Sequence, residues 1–220
     1  MPVTFDLFGT LVDVDAPADP AGAVAAELSA LGVDVPDDWA TAYREGHVDA
    51  PDGAAVPLPA HVGAALRSRD VAAPANAARR AVVAAFDPDV RTREGAVEAL
   101  AAARSRGPVG LLSNCSVPEL VGRTLIRSDL DRGAFDAVVT SVGCGWRKPH
   151  PGAFETVADR LGVDVADLSH VGDDPASDGG IEDLGGRFLD VADTPLPALA
   201  DQWRAGDSRI GSTSAGDRCR

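Results

Sequence analysis

Residues 3–12 read VTFDLFGTLV. The apolar lead-in Val3–Phe5 runs into Asp6, Gly9-Thr10 then makes a turn, and Leu11-Val12 are apolar again. The pattern is that of a short strand with a buried start, ending on a bare carboxylate. Read alone, such an Asp is a helix cap, a surface residue or a nucleophile. At a buried strand end a carboxylate is disfavoured without a partner. Gly9-Thr10 adds backbone N–H groups and a hydroxyl, which suit an anion. Phe8, two places after Asp6, is the odd residue in the stretch.

Outward from this stretch, Val14–Pro20 is acidic and proline-rich and reads as a linker. Helices are expected at Ala21–Leu31, Asp37–His47, Ala60–Asp70 and Ala75–Phe86, with a Pro/Gly-rich loop at Ala50–Pro59. After Asp87-Pro88 short apolar strands alternate with helices. Strands are expected at Val109–Leu112, Ala137–Thr140, Leu168–Val171 and Arg187–Val191. Helices are expected at Glu94–Arg106, Pro118–Ser128, Gly152–Leu161, Ser177–Leu184 and Leu196–Ala205. This alternation predicts an α/β fold, a doubly wound parallel sheet with helices on both faces. Residues 1–14 and 89–206 would form the core domain, 15–88 a helical cap inserted after the first strand, and 207–220 a disordered tail.

Ligands of such sheets bind beyond the carboxyl ends of the strands. Asp6 follows the first strand, Ser113-Asn114 the second and Asp173-Asp174 the fourth; Lys148 follows the third by a short loop. Sequence-distant polar residues therefore converge on one edge. Ser113-Asn114 is either an ordinary N-cap or an anion site at a helix start. Asp173, Asp174 and Asp178 are either an acidic surface loop or carboxylates gathered for a hard cation such as Mg2+.

Composition narrows the partners. The net charge is −14 and the pI about 4.5, which argues against nucleic acid. No apolar run reaches the roughly 18 residues that a membrane span needs. The N-terminus has no signal-peptide pattern, so a cytoplasmic protein is expected. Cys115, Cys144 and Cys219 have no metal spacing and read as isolated reduced thiols. The acid is 27 Asp against 7 Glu and the base 19 Arg against one Lys. An acidic, lysine-poor surface suits a halophile, and a high-GC genome favours the same residues. The one lysine, Lys148, lies in Lys148-Pro149-His150-Pro151, where two prolines fix where its ammonium points.

The segments FDLFGTLV, LLSNCS, KPHP and HVGDDPASD, in that order, resemble the haloacid dehalogenase-like (HAD) hydrolase superfamily, and residues 15–88 resemble its helical C1 cap. The resemblance implies that Asp6 is a nucleophile forming an aspartyl intermediate, that Lys148 holds Asp6 and the substrate anion, and that Thr10, Ser113 and Asn114 orient the transferred group. It also implies Mg2+ held by Asp6, the backbone carbonyl of Phe8 and Asp173, with Asp178 supporting through water and Asp174 sharing that role.

Phosphatases of the family usually carry a second Asp where Phe8 stands. That Asp protonates the leaving group, a contribution of roughly 10²–10⁴-fold. Three readings follow: a Mg2+-dependent phosphatase acting on a small phosphorylated molecule; a metal-independent 2-haloacid dehalogenase, in which an aromatic residue at this position is usual and halide needs no proton; and a scaffold that binds a phosphorylated ligand without turnover. Arg44, beside Trp39 and Tyr43, is the candidate cap arginine for gripping a substrate carboxylate, or else an exposed helix residue. The sequence sets no oligomeric state.

Overall fold

The computed structural model describes residues 1–206; the expectation for 207–220, and Cys219, lie outside the described residues. In chain order the elements are β1 (Val3–Phe5), β2 (Val12–Val14), α1 (Pro20–Ala30), α2 (Trp39–Arg44), α3 (Leu58–Arg67), α4 (Ala77–Ala85) and β3 (Val90–Thr92). Then follow α5 (Ala96–Arg104), β4 (Val109–Ser113), α6 (Leu120–Arg127), β5 (Ala137–Thr140), α7 (Ser141–Cys144), α8 (Pro151–Leu161), β6 (Ser169–Gly172), β7 (Arg187–Asp190) and α9 (Leu196–Arg204). Three short 3₁₀ turns complete the set, of which Asp178–Leu184 matters most here.

Five strands form one parallel sheet in the order β5-β4-β1-β6-β7. The chain starts in the middle, runs outward through β4 and β5, then crosses back to β6 and β7. The order therefore reverses around β1, and the crevice at such a reversal is where open α/β sheets bind ligands. Asp6 is the first residue beyond β1.

The alternation of strand side chains divides the core in two. Phe5, Leu111, Val171 and Leu189 face one layer, with α5 and α9. There the Phe5 ring meets Trp203 edge-on at 6.1 Å. Leu112, Val139 and Phe188 face the other layer, with Phe154, Val157 and Ile181. Parallel strands covered on both faces read as apolar runs, so the polar exceptions, Thr4 and His170, stand out inside β1 and β6.

The four helices between β2 and β3 pack on one another, α1 and α3 each against α4 and α2 against both α1 and α3. The Trp39 indole donates to the Ala21 carbonyl at 2.8 Å. The entry and exit of this helical segment are stitched together. β2 and β3 pair antiparallel, Asp13 opposite Arg91, and Arg91 forks onto Asp15 at 3.0 and 3.1 Å. The linker expected from Val14 therefore begins inside a strand. The pair was not anticipated because each partner is only three residues long and the whole helical segment lies between them. The α2 helix is also shorter than the expected 37–47. Beyond Arg44 the chain turns extended at Glu45, and side chains rather than further helix meet the last carbonyls. The α7 turn, capped by the Thr140 hydroxyl accepting from Gly143 N–H at 3.1 Å, was not expected either.

The α9 side chain Leu199 is fully buried, while Ile126 on α6 is 85% exposed. In urea denaturation Leu199→Ala is expected to cost about 2–5 kcal/mol and Ile126→Ala to stay within about 0.5 kcal/mol of the parent. Equal effects would mean that the layer under α9 is not the packed core assigned to it.

Candidate active site

A cleft of about 340 Å³ opens at the carboxyl ends of the central strands, lined by Asp6, Phe8, Asn114, Arg147, Lys148, Asp173, Asp174, Ser177 and Asp178. Strand geometry puts Asp6 there: its N–H continues the sheet by donating to the Val171 carbonyl at 2.8 Å, and the residue is 7% exposed. The turn that follows needs Gly9. Its φ is +83°, and a Cβ there would lie 2.3 Å from Asp173 Oδ2. Glycine alone adopts that backbone without strain and lets Asp173 come this close. The Thr10 hydroxyl donates to Asp173 Oδ1 at 2.8 Å. Thr10 is fully buried, so its side chain orients a carboxylate rather than reaching the cleft.

Lys148 is the centre of the site. Its ammonium, buried with the side chain, lies 2.7 Å from Asp6 Oδ1 and 2.5 Å from Asp178 Oδ1. An ammonium has three N–H donors, so one remains for a ligand. Asn114 fixes the lysine from behind. Its Nδ2 donates to the Lys148 carbonyl at 3.0 Å and its Oδ1 accepts from Lys148 N–H at 2.9 Å. The amide expected to contact substrate is thus used at both ends to hold the lysine backbone. Downstream, the Trp146 and His150 rings stack at 3.8 Å, and His150 Nδ1 accepts from Gly152 N–H at the start of α8.

Asp178 lines the floor of the cleft. It is 1% exposed. Oδ1 takes Lys148 and His170, and Oδ2 accepts from Asp174 N–H at 3.1 Å. A Cβ on Gly172 would fall 2.2 Å from Asp178 Oδ2, so this burial requires glycine at the end of β6.

The structure also places His170 in the network. Its Nε2 is 2.9 Å from Asp178 Oδ1 and its Nδ1 2.9 Å from the Thr4 hydroxyl. Facing an ionised carboxylate, Nε2 must carry the hydrogen, so Nδ1 accepts from Thr4 O–H. The sequence held part of the signal, a polar residue inside each of two apolar strands, which demands a partner; the register that sets Thr4 beside His170 came from the fold.

Burial governs the protonation. Desolvation pushes the Asp6 carboxyl up to about 6, against the Lys148 charge that favours its ionised form; the Asp178 charge adds to the rise. Desolvation, assisted by the Lys148 charge, holds His170 down at about 4 and outweighs the pull of Asp178. Burial also acts to raise Asp178, yet its hydrogen bond from His170 and its contact with Lys148 leave it well below the usual carboxylate range.

Asp173 and Asp174 are exposed at the cleft; Asp174 accepts from the Ser177 hydroxyl at 2.8 Å. Phe8 is half-buried, one side lining the cleft and the other packed on the core. Ser113 is fully buried, and its hydroxyl has no hydrogen-bond partner among the described residues. Arg44 is exposed at the end of α2 and is not part of the cleft lining. The cation at the rim is Arg147, which sequence reasoning passed over beside Lys148.

A family model, described as haloacid dehalogenase-like hydrolase, matches residues 3–180. The chain belongs to this family of hydrolases. No curated protein matches it. Among solved structures it resembles CbbY from Rhodobacter sphaeroides in complex with phosphate, at 18% identity and a TM-score of 0.55, covering 85% of this chain and 84% of that one. It also resembles the L-2-haloacid dehalogenase RSc1362, at 20% identity and a TM-score of 0.53, covering 92% and 96%. A third is the family enzyme bt-2542 from Bacteroides thetaiotaomicron, in a complex with magnesium and inorganic phosphate, at 15% identity and a TM-score of 0.54, covering 86% and 92%. At these identities the likeness is one of fold.

The raised Asp6 carboxyl has a stability consequence. Between its ordinary value of 3.8 and about 6, the native state holds a proton that the unfolded chain has released. Ionising Asp6 therefore costs stability as pH rises through that window. In metal-free buffer the melting temperature of Asp6→Asn minus that of the parent should grow from pH 4 to about 6 and then level off. A difference that is flat or shrinks over this range would show that burial does not dominate at Asp6.

Proposed function

We propose that the protein is a Mg2+-dependent phosphatase acting on a small phosphorylated molecule through an aspartyl-phosphate intermediate on Asp6. The observation that carries this reading is the Asp6–Lys148 pair at the topological switch point, on a cleft where carboxylates outnumber cations. Asp6, Asp173, Asp174 and Asp178 face one buried ammonium and the rim guanidinium of Arg147. An anionic substrate entering that cleft needs further positive charge. Among the described residues no three Asp, Glu, His or Cys side chains group as a ready-made metal cage. Mg2+ needs no such cage: it takes one or two carboxylates and completes its shell with water and substrate oxygens. The donor set therefore fits, with Asp6, Asp173 and the Phe8 carbonyl as holders. When bound, the ion would supply charge neutralisation at the transferring phosphoryl group.

The chain's own residues supply the rest. An ionised Asp6 oxygen attacks phosphorus in line, a new P–O bond forms and the ester P–O bond breaks. Lys148 holds Asp6 in place and turns its remaining donor toward the phosphoryl oxygens, where charge develops. Water then attacks the acyl phosphate, the bond to Asp6 breaks, and phosphate leaves. Phe8 offers no proton to the departing oxygen, so esters with acidic leaving groups are favoured.

The dehalogenase reading keeps support from Phe8 and from the fold shared with RSc1362. It is weaker because a haloacid carboxylate meets the same excess of carboxylates without a cation. CbbY and bt-2542 were each captured with phosphate, the latter with magnesium as well. The acidic, lysine-poor composition supports a salt-rich cytoplasm as the working environment.

In high salt with Mg2+, phenyl phosphate should be hydrolysed, and EDTA or Asp6→Asn should reduce turnover by at least about 10³-fold. Phe8→Asp should raise turnover of ethyl phosphate, a poor leaving group, by roughly 10- to 100-fold, and that of phenyl phosphate much less. Chloride release from a 2-chloro acid in EDTA, with no ester hydrolysis, would replace this reading with the dehalogenase one.

A further inference from the structure

Five buried side chains form a ring that starts and ends on the path of β1. The Thr4 hydroxyl donates to His170 Nδ1 at 2.9 Å, and His170 Nε2 donates to Asp178 Oδ1 at 2.9 Å. Lys148 Nζ then donates to the same Asp178 oxygen at 2.5 Å and to Asp6 Oδ1 at 2.7 Å. All five residues are buried. Thr4 and Asp6 stand two places apart in the chain, so their side chains leave the sheet on the same face. The ring thus closes beside the strand that carries Asp6.

We propose that His170 is a positioning residue for the reaction at Asp6: by holding Asp178 from behind, it seats the Lys148 ammonium between two fixed carboxylates and keeps its third donor free for the substrate anion. The proposal rests on the reading that Asp6 and Lys148 carry the reaction, and it holds whichever group leaves.

A lysine ammonium is a point charge on a flexible stem, without the planar fork that orients an arginine. Its place is set by its acceptors, so those acceptors must themselves be fixed. Asp178 opens a 3₁₀ turn, and its Oδ2 accepts from the Asp174 N–H at 3.1 Å. One backbone donor leaves a carboxylate free to swing about that contact. The second donor, His170 Nε2–H on Oδ1, fixes its plane. His170 is well placed to do so. It lies opposite Thr4 in the β1–β6 register, is fully buried, and meets the Phe154 ring edge-on at 5.4 Å. Donating through Nε2 and accepting at Nδ1, the ring is neutral. It therefore anchors Asp178 without cancelling the negative charge that faces Lys148.

Packing alone does not call for this pair. Thr4 and His170 lie in strands covered on both faces, where two apolar side chains of similar shape would fill the space and leave no polar group to satisfy. Among the described residues the side-chain hydrogen bonds of the pair lead only to Asp178. From there the contact passes to Lys148 and back to Asp6. Linked hydrogen bonds of this kind strengthen one another in a buried setting.

Lys148 is the one lysine of the chain, so isotope labelling at lysine Nζ gives a single ammonium signal that reports its seat by NMR. The test compares the parent with His170→Leu, with His170→Gln, whose amide N–H can reach Asp178, and with the double variant Thr4→Val/His170→Leu, which is apolar at both positions. Melting temperatures follow stability. In His170→Leu the ammonium protons should exchange at least about tenfold faster than in the parent. Its kcat for phenyl phosphate with Mg2+ should fall roughly 10²-fold, with KM within about threefold. His170→Gln should return kcat to within about tenfold of the parent. The double variant should melt above His170→Leu, since no polar atom of the pair is stranded, yet keep the low kcat and fast exchange. Should His170→Leu fail to fold, the double variant carries the comparison. Parent-like exchange or parent-like kcat in His170→Leu, or recovery of kcat in the double variant as its stability returns, would overturn the proposal. If the parent hydrolyses no ester, the phosphatase reading fails by itself and exchange decides: faster exchange in a stable double variant keeps the seating of Lys148 by His170, and unchanged exchange overturns it.

Discussion

The buried ammonium of Lys148 is the constraint around which the site is organised. It lies between Asp6, just beyond β1, and Asp178, at the start of the 3₁₀ turn after β6. Without it, two like charges would face each other away from water. Buried ion pairs of this kind add little net stability, but removing one partner leaves an uncompensated charge and typically costs about 3–5 kcal/mol. The molecule supports the pair from every side. Asn114 clamps the lysine backbone, His170 and the Asp174 N–H hold Asp178, and the Thr4 hydroxyl donates to the far side of the His170 ring.

This network also sets the chemistry. Asp178 is kept ionised by its neighbours, whereas Asp6, with one charged donor and heavy burial, stays close to its switching point. Two carboxylates on one ammonium thus differ in how readily they carry charge, a division made by environment rather than by residue type. Phe8 takes no part in proton transfer. It adds apolar surface beside Asp6, which raises the cost of charge there.

The alternation of strand and helix was legible in the sequence because each strand is an apolar run closed by a turn signal, and the parallel sheet followed from it. The residues at strand ends were legible for the same reason. Less legible were contacts whose partners lie far apart in the chain. The β2–β3 pair, the seat of Asp178 under β6 and the role of His170 all depend on register and depth. Thr10 and Asn114 were recognised as site residues, but the contacts they make, to Asp173 and to the Lys148 backbone, could not be read from their type. Arg44 was singled out by its aromatic neighbours, yet α2 presents it to solvent, and Arg147 occupies the rim instead.

The sequence by itself determined the order of the elements, the carboxylate at the end of β1 and the single lysine, since local patterning and composition carry these directly. The tertiary structure alone decided which charges are buried and which oxygens are already engaged. Solvation and hydrogen bonding depend on all neighbours at once, and for Asp6, Lys148, His170 and Asp178 those neighbours come from strands and loops up to 166 residues apart.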